Sequence, residues 1–305
     1  MTALLTRDQP FRLDRLAELG LDPPAFARRR RAGAYRRVLR GVYVDAAVPD
    51  SRSVRTAAAK LIRPPDGVLM GCSAAWVMGV DTFAPSARFD LTPDWMVPHG
   101  STRSVRRGVR FVEGYLRPED VLVMDGLPVT TPTRTASDLL RRLRRPWALA
   151  AADGLTHAGL TTPADIEAYL ARLRGYPGIV QARELVLLVE PRSESAGESV
   201  QRLRLVDGGL GRPEPQYVVL DRTGRTVGRV DHAYVAQRVI CEHDGVEFHS
   251  HPDDKTRDER RRWCLTEVLG WRLVVTTGHD LFGKDNAFER EVGAYLGIET
   301  GPRLW

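Results

Sequence analysis

Between Gly228 and His251 the chain reads GRVDHAYVAQRVICEHDGVEFHSH, with four acidic side chains and four histidines in 24 residues. Carboxylates are hard oxygen donors, and divalent-metal hydrolysis of a phosphodiester needs such donors to clamp the cation while leaving positions for water and phosphate. Asp231 stands near the end of one apolar run and Glu242 in the next, so the two converge if those runs pair as strands. Glu242 and Asp244 are two apart and share a strand face. Glu198 reaches the same place if its helix packs across the sheet. Four carboxylates with nothing basic interleaved require a cation or a proton among them.

Each acid also has a plainer reading. Asp231 could cap a turn, Glu198 could pair with Arg202 four residues on, and Glu242 could lie on a solvated strand. Against the last stands the apolar run Val239-Ile240-Cys241, which marks a buried strand where an unpaired carboxylate is costly. Cys241, His243, His249 and His251 do not form a standard zinc spacing. His232 and His279 read as surface or loop residues, as do His99 and His157.

The elements that would carry these acids emerge from periodicity and turn residues. A capped helix SAGESVQRLRLVDGG leads to strands QYVVL, VGRVDHAYV and RVICEHDG, then to a helix DDKTRDERRRWCLTEVLG and a last strand WRLVVTT. The order is αβββαβ, a mixed three-layer candidate. A small, polar stretch at 190–199 separates it from the preceding residues. Residues 51–190 read as mainly helical, with strands expected at ARFDLTP and GVRFVEGY and a buried helix at SAAWVMGV.

The first 50 residues form a basic unit. Phe11, Leu13, Leu16, Ala17 and Leu19 keep a helical period ending at Gly20. Asp22-Pro23-Pro24 then caps a second helix through AFARRRRAG, and YRRVLRGVYV has a β-hairpin pattern. Helix, tight turn, helix and β wing is the winged helix-turn-helix order. Arg28, Arg29, Arg30 and Arg31 fall on the second helix and Arg36, Arg37 and Arg40 on the wing, with no acid among them, a footprint suited to a phosphate backbone.

The whole chain has 305 residues and a net charge of +6 carried almost entirely by arginine, since lysine occurs only at Lys60, Lys255 and Lys284. Arginine's planar fork suits phosphate, although a GC-rich genome gives the same bias. Cys72, Cys241 and Cys264 cannot complete a disulfide framework, and no apolar run is long enough to span a bilayer. The expectation is a soluble, non-secreted, cytoplasmic protein with no membrane partner.

RVDHAY followed by CEHDGVEFH, with RDERRRWCLTEVLGWRLVVTTGHDL downstream, resembles a domain of unknown function related to very-short-patch-repair endonucleases, within the PD-(D/E)XK nuclease superfamily. The resemblance covers roughly 193–295. It implies Asp231 and Glu242 as ligands of Mg²⁺ or Mn²⁺, Glu198 as the helix-borne acid, and His249 as the second histidine of the repair enzymes. Asp244 stands where the superfamily has lysine, so any hydrolysis requires a second metal or His249, Lys255 or Arg257 in that role. The structural zinc cysteines are absent, with Val246 and Asp253 at two of their places. PAFARRRRAGAYRRVLRGVYV resembles the helix-turn-helix domain of AbiEi-type antitoxins of type IV toxin–antitoxin systems, and GLPVTTPTRTASDLL at 126–140 resembles a segment of the same proteins.

The expected fold is therefore α+β and multidomain: a winged helix-turn-helix over 1–50, a mixed, mainly helical middle region over 51–190, and a three-layer α/β/α restriction-endonuclease-like domain over 191–305. Two functions are compatible with it. One is a DNA-binding protein with a metal-dependent endonuclease, in defence or repair. The other is a non-catalytic, antitoxin-like repressor with a cognate toxin partner.

Overall fold

The structure is a computed structural model and describes residues 9–82, 92–100, 110–244 and 252–305, without the side chains of 252–257. Contacts gather into two compact units, Met1–Leu139 and Leu140–Trp305.

The first unit opens with β1 (Phe11–Arg12), a 3₁₀ segment over Leu13–Leu19 and α1 (Pro23–Arg31), then β2 (Tyr35–Leu39) and β3 (Val42–Asp45). The expected first α-helix is replaced by the strand and the 3₁₀ segment, because Phe11 pairs across β3 with Tyr43 and turns inward. There it packs in a buried aromatic cluster with Phe26, Tyr35 and Tyr43, and that packing outweighs the helical period. Gly20, at φ +66°, closes the segment as expected. Asp22 accepts from the Ala25 amide at 2.6 Å and caps α1.

The same unit continues with α2 (Arg52–Leu61), β4 (Val68–Leu69), α3 (Gly71–Val77), β5 (Asp94–Val97), β6 (Arg110–Glu113), β7 (Val121–Met124), β8 (Leu127–Thr130) and α4 (Pro132–Arg142). Strands β4 to β8 form a mixed sheet in the order β6-β5-β4-β8-β7, apart from the three-stranded sheet β1-β3-β2. Residues 51–139 thus mix short strands with helices. Val38, Leu39, Val42 and Val44 share one core with Val54, Ala58, Leu69, Trp95 and Val129, so the basic N-terminal segment packs directly onto α2 and the mixed sheet. Arg134 is buried on α4 and bonds to Asp138 at 2.7 Å and Asp120 at 2.9 Å, fixing α4 to the turn before β7.

The second unit contains α5 (Arg145–His157), α6 (Pro163–Ala171), α7 (Ile179–Val186), α8 (Ala196–Asp207), β9 (Glu214–Leu220), β10 (Thr226–Tyr234), β11 (Val239–His243), α9 (Pro252–Trp263), β12 (Arg272–Thr276), α10 (Gly278–Phe282) and α11 (Ala287–Leu296). From α8 to β12 the order is αβββαβ, as the periodicity predicts. The sheet runs β12-β11-β10-β9, with β9, β10 and β11 antiparallel and β12 parallel to β11 through the α9 crossover. Leu205, Val239, Cys241, Val274 and Phe288 pack on one face of it. Val219, Val230, Ile240, Leu265 and Trp271 pack on the other. A sheet covered on both faces leaves no dry place for an uncompensated charge, which sets the terms for the acids on β10 and β11.

Candidate acid pocket and basic surface

Antiparallel pairing of His232 with Cys241 places Asp231 beside Glu242. Asp231 Oδ2 accepts the His243 amide at 2.8 Å. Glu198 lies in the first turn of α8, whose N-cap Ser195 accepts the Glu198 amide at 3.1 Å. Its carboxylate accepts from the Glu194 amide at 3.0 Å and from Gln216 Nε2 at 2.7 Å. Gln216 itself sits at φ +52°, a left-handed conformation unusual for a strand residue. The plainer alternative, a Glu198–Arg202 pair, is not formed. Arg202 is fully buried and bonds to Asp153 at 2.5 Å, leaving Glu198 at the pocket.

Asp231, Glu198 and Glu242 therefore come together. Burial, with the nearby charges of Glu198 and Glu242, pushes the Asp231 carboxyl up to about 7 against the opposing pull of the His243 amide and Arg261. The compensating cation is Arg261 on α9, which donates to both oxygens of Glu242 at 2.8 and 3.0 Å. This bidentate pair supplies positive charge where the sequence has no lysine. Asp244 points elsewhere: its amide donates to Thr276 O at 2.8 Å while its side chain is exposed, 3.8 Å from Arg262. His249 and the side chains of Lys255 and Arg257 lie outside the described residues.

Carboxylate chemistry suits Mg²⁺, but the arrangement does not. Both oxygens of Glu242 face a guanidinium, and oxygens of Glu198 and Asp231 already accept amide protons. No group of three metal donors is assembled among the described residues. The pocket is an ion-paired acid cluster in this conformation.

His232, expected on the surface, is fully buried. Strand alternation turns it away from Asp231 toward α8, where Nδ1 lies 2.8 Å from Gln201 Oε1. Gln201 Nε2 donates to Glu242 O at 3.0 Å and Thr276 Oγ1 at 2.7 Å, so its Oε1 is left to accept and His232 carries its proton on Nδ1. Burial and the nearby Arg202 charge lower His232 to about 3, and it is neutral throughout the physiological range. His232 and Gln201 thus lock α8 to β10, β11 and β12, and Glu198 is positioned through that lock.

His243 faces the same side, and its ring lies where a side chain on Gly197 would go: an added Cβ would sit 1.9 Å from Cδ2. Gly197→Ala should cost about 1–3 kcal/mol by displacing the ring or the helix start. Chemical denaturation measures it, and an unchanged midpoint would contradict this close packing.

On the N-terminal unit, Arg28, Arg29, Arg30 and Arg31 form the exposed last turn of α1, with no acidic partner among the described residues. Arg40 is also exposed and Arg37 faces outward, whereas Arg36 donates to Val48 O at 3.1 and 3.2 Å and braces the hairpin. Arginines at a helix C-terminus also complement the helix dipole. His99, His157 and His279 are exposed.

Among the described residues no helix is long and apolar enough to cross a membrane. Two uncharacterised proteins of Mycobacterium tuberculosis, from strains CDC 1551 and H37Rv, are each 39% identical to this chain over 173 residues, or 57% of its length. The chain covers 63% of the length of these relatives. Residues 67–188, from the β4 region to just past α7, match the family model of the AbiEi antitoxin C-terminal domain.

Proposed function

We propose that the protein is a DNA-binding, antitoxin-like regulator that represses its own operon and has a cognate toxin as partner. The observation carrying this is the antitoxin-domain match over 67–188, joined in one chain to a helix whose exposed last turn presents four consecutive arginines. Each arginine that neutralises a phosphate releases counterions, so its contribution is read from the salt dependence of binding. The test is a fluorescence-anisotropy titration on the duplex upstream of the chain's own coding sequence. Arg29→Ala should weaken binding at low salt and reduce the slope of log K against log salt by about 0.9. An unchanged slope would remove α1 from the interface.

The second reading is a nuclease related to the very-short-patch-repair enzymes, using Mg²⁺ or Mn²⁺ held by Asp231 and Glu242. Its support is the convergence of these acids with Glu198 on a sheet of αβββαβ order. It requires Arg261 to leave Glu242. Arg261→Ala separates the two readings: it leaves a largely buried Glu242 uncompensated, and stability should fall by about 1–3 kcal/mol, a buried-pair cost discounted for Arg261's partial exposure. Recovery of that loss on adding MnCl₂, abolished by Asp231→Ala with Glu242→Ala, would favour the nuclease. No recovery would leave Arg261 as the pocket's permanent cation.

A further inference from the structure

The second compact unit carries a groove of about 530 Å³ whose lining includes Arg144, Trp147, Phe282, Lys284, Arg303 and Trp305. The volume falls within the range typical of small-ligand sites. Three lining residues have cationic side chains and none has an acidic one. Arg144 and Lys284 are exposed, with no acidic partner among the described residues. Arg303 donates to backbone oxygens of Leu281, Gly283, Asp285 and the last residue, Trp305, and makes no ion pair with an acidic side chain among the described residues. Burial and the neighbouring Arg204 charge lower its proton affinity against the opposing pull of Glu289 and Asp285. The charged side chains that line the groove are all cationic.

Its aromatic side is equally specific. Trp147 and Phe282 stack with centroids 4.8 Å apart and planes at 15°, yet Phe282 remains 43% exposed. The guanidinium of Arg303 lies over the Trp305 ring, 5.3 Å from its centroid. A two-ring stack ending at an exposed face, flanked by cationic side chains with no acidic side chain in the lining, fits a third planar ring that carries negative charge. An aliphatic acid would leave the stack unused, and an uncharged aromatic would leave the cations unused.

We propose that this groove binds a phosphorylated planar base: a nucleoside phosphate, either free or as an unpaired nucleotide of a nucleic-acid strand. The base extends the Trp147–Phe282 stack, and the phosphate lies among Arg144, Lys284 and Arg303. The site is separate from the arginines of α1 and does not rest on the proposed regulatory function.

The test uses the full chain with a short, labelled oligothymidylate, read by anisotropy, and AMP as competitor. Wild type should bind the strand. Trp147→Ala should weaken binding about tenfold, the loss of one base–aromatic stack, and Trp147→Phe should restore most of it. Lys284→Glu, at an exposed position, should weaken binding by a similar factor and reduce the salt slope by about 0.7 or more, and it decides the matter if Trp147→Ala fails to fold. Displacement by AMP would assign a free nucleotide, and failure of AMP to displace would assign a nucleotide within a strand. Either result supports the site. The proposal is overturned if neither probe binds, or if binding is unchanged in Lys284→Glu and in a folded Trp147→Ala. Arg29→Ala should leave the effect of Lys284→Glu intact, so loss of duplex binding in that variant tests the regulatory reading alone.

Discussion

At pH 8, Asp231→Asn is expected to stabilise the protein by about 2–4 kcal/mol. The wild-type carboxyl is held at about 7 in the folded chain by burial and by Glu198 and Glu242, against an ordinary value of 3.8. A group whose folded value is raised contributes its full stability below the unfolded value and loses it as pH rises through the folded one. Wild-type stability should therefore decline between about pH 4 and pH 7 relative to the variant, and the gap should be constant above pH 8. Asn retains an oxygen for the His243 amide, so the comparison isolates charge. Urea denaturation of both proteins across this range checks it. A variant less stable than wild type at pH 8 would mean that Asp231 is compensated in the folded chain, as it would be beside a bound cation.

Arg204→Ala should act in the opposite direction and cost about 3–5 kcal/mol, the usual consequence of breaking a buried pair and stranding its partner. Arg204 is nearly fully buried and pairs bidentately with Glu289, itself 4% exposed. It also donates to carbonyls of Asp280, Leu281 and Asp285. These bonds hold the segment that carries Phe282 and Lys284. The substitution should thus lower the melting temperature and abolish nucleotide binding in the groove, whereas Arg204→Ala with Glu289→Ala should recover part of the stability because no lone carboxylate remains. A double variant no better than the single one would place the cost in the lost carbonyl bonds.

The C-terminal element order was legible because each strand there is a short apolar run ended by a turn, and because Ser195 and Gly270 mark helix ends. The convergence of Asp231, Glu242 and Glu198 was legible for the same reason: strand pairing and one helix crossing fix it. Arg261 was not. It lies 19 residues beyond Glu242 on a helix rich in arginine, and only the packing of α9 selects which side chain reaches the carboxylate. His232 was misplaced although parity contained the answer. On a sheet covered on both faces, the residue beside a pocket acid points into the opposite layer, not into water.

The middle region shows a different failure. VLVMDGLPVT forms the β7–β8 hairpin, with Asp125 at φ +47° and Gly126 at φ +76° between paired Met124 and Leu127. An Asp-Gly pair between apolar runs is a strong hairpin signal, because such a tight turn requires left-handed backbone at both positions. The helical pattern immediately downstream masks it. The N-terminal 3₁₀ segment carried no comparable signal: whether Phe11 continues a helix or joins β3 depends on the aromatic cluster formed with Phe26 and Tyr43, residues distant in sequence.

Binding of DNA as a regulator, with no need to cut it, is tested most directly at equilibrium. The protein is titrated onto the duplex upstream of its own coding sequence and onto a scrambled duplex of equal length, with and without Mg²⁺, and the recovered DNA is run on a denaturing gel. The prediction is binding at least about 10³-fold tighter to the upstream duplex, unchanged by Mg²⁺, with both strands intact. Equal affinity for the two duplexes, or shortened strands that appear only with Mg²⁺ and vanish with Asp231→Ala, would contradict it and return the acid pocket to the role of a nuclease centre.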